Sequence, residues 1–514
     1  METLLPQQIM ERNSPGDDGK LPALDYRMLD WIAGNVSPKT QIPLSFAIAQ
    51  DRKPDIYKRM GKPHSTEGVI ERVIVEEGLV IYDGAVAQIA LSMSRRGDYL
   101  KKALRPVEVY WKGRLEEISS IRAGYPVNNF IYDPHTPQEV SSDLADTGKR
   151  GFIFRIINAN GHYRSVDPLD GKDTLEGFPN YDVIHWEDWK PVAGENAWVA
   201  MAALHIYHQK YFNPLTGAYE GPEHSIELEL AKELARAAMI LQADNGGIRM
   251  GPIGAHRDEK DFMDPAHKQG EWWYYQISSE NNLSWHAALR MLHAVTGEEK
   301  YAAAAEGIES YFRGVWNDEF QYFYQGMSFY GGEWHPNDEH FALDVQTWGI
   351  LALGPEKIDG WFGEGSALKM WGISKIFSGY WLADKELAGV GYTQEHDRLS
   401  VEWTAGAIMA ARSLADHYRS RGRGEWAAAA AHDAGMMRKN IDILKTRVND
   451  SHDAYSYSSR RGWIPFGWFS HDPEVLSVAS TGWMIFVDAG FNPFLLPGKF
   501  KTAVPAQAGR LVLD

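Results

Sequence analysis

Two kinds of apolar pattern alternate along the chain. Stretches that are apolar on every side, such as residues 405–411, follow an acidic or Ser/Thr position typical of a helix start. Other stretches carry apolar residues on one helical face only. One such stripe consists of Tyr301, Ala305, Ile308, Phe312 and Val315. The alternation predicts an inner ring of fully covered helices inside an outer ring that faces water.

Six stretches of the first kind recur along the chain. They begin near Tyr82, Glu195, Glu280, Leu343, Val401 and Ser480. Six hairpins of one inner and one outer helix can close a ring, so the sequence predicts an all-α fold, an (α/α)6 barrel over residues 76–500. Short strand-like runs predict a mixed, partly β insertion at 104–192 that helps to wall a cleft. We expect residues 1–75 to form an N-terminal arm packing on the barrel and 501–514 to form a tail.

Three short segments link this pattern to known proteins. They are Tyr82-Asp83-Gly84-Ala85, Gly194-Glu195-Asn196-Ala197-Trp198 and Ser400-Val401-Glu402-Trp403-Thr404-Ala405-Gly406. With the predicted architecture, they make the chain resemble the six-hairpin (α/α)6-barrel glycosidase superfamily. The resemblance implies that sugars bind across one rim and that carboxylates stand at inner-helix starts. Hydrolases with this barrel commonly invert, but the scaffold also carries lyases, phosphorylases and epimerases.

Carboxylates are the main candidates for chemistry. Asp83, Glu195, Glu280, Asp344 and Glu402 all fall at predicted inner-helix starts. Glycoside hydrolysis needs one carboxylic acid for the leaving oxygen and a second carboxylate, which activates water in inverting enzymes. A cap or a dipole partner is the alternative role for any one acid. We predict Glu195 and Glu402 as the reacting pair, followed by Asp344 and Asp83.

Aromatic and polar neighbours complete the predicted sugar site, because flat aromatic rings suit the C–H face of a pyranose. Asp188 and Asp397, in acidic loops ahead of two inner helices, are weaker catalytic candidates. The predicted substrate-binding residues are Tyr82, Trp186, Trp189, Trp198, Arg249, Trp273, Glu280, Asn281, Trp285, Trp348, His396 and Trp403.

Composition narrows the partners. The net charge of -17 disfavours nucleic acid and anionic membranes, and also a strongly polyanionic glycan. The absence of cysteine excludes disulfides and thiolate chemistry. No sequence pattern calls for a metal or another cofactor, although loop oxygens leave a structural calcium open. The first residues lack a basic segment followed by an apolar one, so we expect no secretory signal; the compartment and the oligomeric state stay open.

The resulting expectation is an inverting glycoside hydrolase that acts on a neutral, β-linked glucan or a related oligo- or polysaccharide. A uronate lyase is one alternative, using Asn281, Asn282, His286, Tyr274 and Arg249. A sugar epimerase is another, with its imidazoles drawn from His286, His396 and His471. A glycan-binding protein without catalysis is the third.

Overall fold

The computed structural model describes residues 24–60, 66–94, 96–115, 152–153, 155–159, 192–222, 224–251 and 272–496. Within these ranges the helices, in chain order, are α1 (Tyr26–Gly34), α2 (Lys53–Arg59), α3 (Thr66–Glu77), α4 (Ile81–Met93), α5 (Gly97–Leu115), α6 (Ala193–Tyr211), α7 (Ile226–Ile240), α8 (Ser279–Thr296), α9 (Glu299–Gly314), α10 (Leu343–Ala352), α11 (Pro355–Phe362), α12 (Ser366–Ser378), α13 (Val401–Ser420), α14 (Gly424–Asn440) and α15 (Val478–Ala489). Short 3₁₀ helices lie at Trp272–Tyr275 and Ile441–Leu444.

The strands are short, and all pair antiparallel. They are β1 (Phe46–Ala47), β2 (Gly78–Val80), β3 (Ile156–Asn158), β4 (Phe212–Asn213), β5 (Ala218–Tyr219), β6 (Gln276–Ser278), β7 (Trp316–Asn317), β8 (Tyr322–Phe323), β9 (Gly326–Tyr330), β10 (Glu333–Asn337), β11 (Gly379–Trp381), β12 (Leu387–Val390), β13 (Lys445–Arg447), β14 (Asp453–Ser456), β15 (Gly462–Ile464), β16 (Trp468–Ser470) and β17 (Leu476–Ser477). Several end directly at an inner helix, so they fix where that helix begins.

The inner ring consists of α4, α6, α8, α10, α13 and α15. Each of these helices packs against the next, and α15 packs against α4, so the ring closes. The outer helices α5, α7, α9, α12 and α14 each cover the inner helix that precedes them in the ring, and α1 packs on α15 and α4. The predicted (α/α)6 barrel is confirmed, and none of the described helices combines the length and apolar character needed to cross a bilayer.

The helix starts were predicted within two residues, because apolar runs and caps mark them clearly. Ser278, Ser400 and Ser477 cap α8, α13 and α15 by accepting hydrogen bonds from backbone N–H groups of the first turn. The insertion begins later than predicted, because residues 104–115 continue α5 through Pro106. Most of the rest of 104–192 lies outside the described residues, but Ile156–Asn158 pairs with β2 as a strand. The tail 501–514 also lies outside them.

Candidate functional site at the inner-helix rim

Each of five inner helices places a carboxylate on its second or third residue. These are Asp83 in α4, Glu195 in α6, Glu280 in α8, Asp344 in α10 and Glu402 in α13. The charges of Glu402 and Glu195 act on Asp83, while those of Asp344, Glu195 and Glu402 act on Glu280. The structure therefore brings the predicted acids together at one end of the ring.

A repeated polar contact holds these helix starts in place. The fourth residue of five inner helices is polar and binds the backbone of a preceding segment; these residues are Asn196, Asn282, Gln346, Thr404 and Thr481. Asn282, for example, accepts from the N–H of Ile248 at 2.6 Å and donates to the carbonyl of the same residue at 2.9 Å. Because these contacts are buried, they hold each acid-bearing turn against its neighbouring segment.

Glu402 is the best-defined acid of the rim. Its Oε1 accepts a hydrogen bond from the Tyr82 hydroxyl at 2.5 Å, and the indole N–H of Trp483 donates to that same hydroxyl at 2.7 Å. Burial raises the pKa of Glu402 to about 7, although the Tyr82 hydrogen bond opposes the rise. At neutral pH the carboxyl group thus exists in both protonation states, as a general acid requires.

Burial also dominates at three other acids. It raises the pKa of Asp344 to about 7, against the backbone N–H of Val345, which donates to Oδ1 at 2.8 Å. It raises the pKa of Asp83 well above the usual range, with a hydrogen bond from Ser45 acting in the opposite direction. The pKa of Glu280 is raised well above its usual range by burial and then by the charge of Asp344. Such a cluster shares protons, because not all members can ionise together.

Glu195 has a different environment. Its Oε1 lies 2.8 Å from Nε of Arg155, which compensates the carboxylate charge. Its Oε2 is buried and has no hydrogen-bond partner among the described residues. One oxygen is therefore anchored by the guanidinium, while the other can accept a hydrogen bond from a water molecule or a sugar hydroxyl.

The aromatic residues divide into rim and interior groups. The rings of Tyr82 and Trp198 are in edge contact, with their centroids 5.0 Å apart, and Trp348 stacks on Trp483 with the centroids 5.7 Å apart. These four rings therefore pack against one another. The expectation that Trp198 and Trp285 bind substrate is corrected, because both are 0% exposed. The indole N–H of Trp285 instead donates to the carbonyl that begins α6, at 2.8 Å. Trp348 and Trp403 are 3% exposed and act mainly in packing.

The remaining predicted binding residues are more scattered. Arg249 donates to the carbonyl of Tyr274 and lies over the rings of Tyr274 and Trp334. Asn281 is 4% exposed; its Oδ1 lies against Gly194, and its Nδ2 has no hydrogen-bond partner among the described residues. His396 is exposed and bonds the carbonyl of Gly379.

Some predicted residues cannot be placed, and others were missed. Trp186, Trp189 and Asp188 lie outside the described residues, as does the side chain of Trp273. Asp397 is exposed and pairs with Arg460, away from the buried acids. Four residues near the rim acids were not predicted as site residues: Arg155, Ser45, Trp483 and Tyr457. Only Trp483 had a signal, in the sixth helix start; the others lie in segments without periodicity.

The chemical capacity of the rim follows from these environments. It combines four carboxyl groups whose pKa is raised by burial with Glu195, which forms an ion pair with Arg155. Groups suited to proton donation and to water activation therefore lie at the same end of the ring. In the described ranges, no three His, Asp or Glu side chains form a group able to hold a metal ion.

Comparisons with known proteins bear on the fold. No family model and no curated protein matches the sequence. Among solved structures, a sugar epimerase from a ruminal bacterium is similar at a TM-score of 0.52 and 10% identity, covering 95% of this chain and 98% of that one. A cellobiose 2-epimerase from Bacillus thermoamylovorans has a TM-score of 0.53 and 10% identity, covering 90% and 96%.

A third solved structure is less similar. A family 76 α-mannanase from Bacteroides thetaiotaomicron has a TM-score of 0.43 and 11% identity, covering 90% of this chain and 94% of that one. At these identities the likeness to the epimerases establishes the barrel fold alone, so the reaction must be argued from the residues of the rim.

Proposed function

We propose that the protein is an inverting glycoside hydrolase acting on a neutral oligo- or polysaccharide, with Glu402 as general acid and Glu195 as general base. The observation that carries the proposal is the convergence of five carboxyl-bearing side chains at one end of the ring, where Glu402 is hydrogen-bonded to Tyr82 and Glu195 is ion-paired with Arg155. Glu402 has a pKa of about 7 and can donate a proton at neutral pH. Glu195 has one buried oxygen that no described residue hydrogen-bonds, and this oxygen is suited to accept a proton from water.

The contacts of other residues argue against the two rival reactions. For an epimerase, the three candidate imidazoles have separate surroundings: His286 bonds Glu309, His471 bonds Glu71, and His396 is exposed. For a uronate lyase, Asn282 is occupied by the backbone of Ile248.

The experiment compares wild type with Glu402→Gln and Glu195→Gln on neutral and acidic glycans. The panel includes α- and β-linked glucans, mannans and xylans, with reducing ends and ultraviolet absorbance read together. We expect reducing ends from a neutral glycan and a loss of at least about 100-fold in kcat for either variant, the usual contribution of a general acid or base. Glu364→Gln is the control, because Glu364 is exposed and pairs with Arg423.

Other results would identify another function. Ultraviolet-absorbing product from a uronate polymer would indicate a lyase. A changed sugar configuration without bond cleavage would indicate an epimerase, and retained activity in both glutamine variants would exclude these residues as the reacting pair.

A further inference from the structure

The hairpin formed by β15 and β16 has two distinct aromatic faces. Its turn contains residues 465–467, with Gly467 at φ +107°, a conformation that favours glycine. Trp463 and Phe469 face each other across the strands, in edge contact at 5.1 Å, and Trp463 is 55% exposed. Trp468 lies on the opposite face, because side chains alternate along a strand.

The second face reaches the helix that carries Glu402. Phe466, at the turn, lies 6.1 Å from Trp403 with the ring planes 19° apart. The indole N–H of Trp468 donates to the Tyr457 hydroxyl at 2.9 Å. Tyr457 in turn is close enough to the rim for Glu402 and Asp83 to act on its charge. The hairpin therefore continues the rim outward from the proposed acid.

Several contacts hold the hairpin in this position. Ser470 Oγ donates to the carbonyl of Arg460 at 2.7 Å across its base. Arg461 forms an ion pair with Glu71 in α3, and Arg59 in α2 bonds Asp472 at 2.6 Å. Because these contacts already hold the β15–β16 hairpin in place, the hairpin loses little conformational freedom when a ligand binds, which favours affinity.

We propose that Phe466 and Trp468 form a subsite for one neutral pyranose unit next to Glu402. Phe466 is half-buried and sits at the tip of the turn, so part of its ring can meet the C–H face of a sugar. His340 contacts Phe466 edge-on at 6.2 Å and brings ring nitrogens that can bond sugar hydroxyls. The net charge of -17 favours a neutral sugar over a uronate. The inference rests on the proposed function, but it concerns binding and not turnover.

The test measures binding of cellotriose, mannotriose, xylotriose and trigalacturonate by calorimetry. The proteins are Glu402→Gln alone and Glu402→Gln combined with Phe466→Ala, Phe466→Trp or Trp463→Ala. We expect at least one neutral trisaccharide to bind, with Phe466→Ala weakening it about tenfold, as the loss of an aromatic stacking partner implies. Phe466→Trp should retain binding, and Trp463→Ala should leave it unchanged because that ring lies on the other face.

Two outcomes would overturn the subsite: equal binding by Phe466→Ala, or no binding of any neutral trisaccharide. Neither depends on whether bonds are cleaved. If Glu402→Gln retained full hydrolytic activity while Phe466→Ala still weakened binding, the proposed acid would be wrong and the subsite would stand. Circular dichroism of each variant separates a lost contact from a lost fold.

Discussion

The Tyr82 hydroxyl hydrogen-bonds both the Glu402 carboxyl group and the Trp483 indole at the rim. It donates to Glu402 and accepts from Trp483, so it favours the ionised carboxylate while it satisfies a buried indole. Burial pushes the other way and leaves the pKa of Glu402 at about 7. The pKa of Glu402 thus depends on the balance between burial, which raises it, and the hydrogen bond from the Tyr82 hydroxyl, which lowers it.

Removing that hydroxyl should move the pH profile. If Glu402 is the acid, kcat/KM falls as pH rises through its pKa, because the proton is lost. In Tyr82→Phe the ionised form loses a hydrogen bond, so the pKa rises and the alkaline limb moves upward by about one pH unit. Tyr455→Phe is the control, since its hydroxyl bonds Asp442 away from the rim. An unmoved or lowered limb in Tyr82→Phe would contradict the role of Glu402.

At the residue scale, the sequence predicts where the acids stand but not which residues surround them. Asp83, Glu195, Glu280, Asp344 and Glu402 were predicted at helix starts because apolar runs mark those starts. Arg155 is distant in sequence from Glu195 and lies in an irregular segment, so no spacing indicates the ion pair. The burial of Trp198 could not be predicted either, because a Trp after a helix start can face a cleft or a core.

At the scale of elements, the polar fourth residue of five inner helices holds the helix starts in place at the rim. Asn282 binds both backbone groups of Ile248, and Gln346 does the same for Phe323. These contacts tie irregular segments to the ring where the acids stand. The helix caps could be predicted from the sequence. The backbone partners of Asn282 and Gln346 could not, because each contact joins segments far apart along the chain.

Replacing one of these amides should cost stability. Asn282→Ala leaves a buried N–H and a buried carbonyl of Ile248 without partners, so we expect the free energy of unfolding to fall by about 2–4 kcal/mol. Denaturant titration measures the change. Asn449→Ala, in an exposed loop, is the control and should change stability by less than about 1 kcal/mol. Equal effects in both variants would show that the contact does not hold the helix start.

At the scale of the molecule, the ring of hairpins was predictable because inner and outer helices differ in their apolar pattern. The insertion was less predictable, because α5 continues to Leu115, past the predicted start of the insertion at residue 104. The net charge of -17 disfavours anionic substrates and so favours a neutral sugar.

Proton NMR of the first product formed from the neutral glycan cleaved fastest tests hydrolysis with inversion directly. An inverting hydrolase with an acid and a base at the rim predicts a new reducing end of opposite anomeric configuration to the bond cleaved, before mutarotation. Retained configuration would contradict the water-activating role of Glu195. A sugar epimerised without cleavage would contradict hydrolysis altogether.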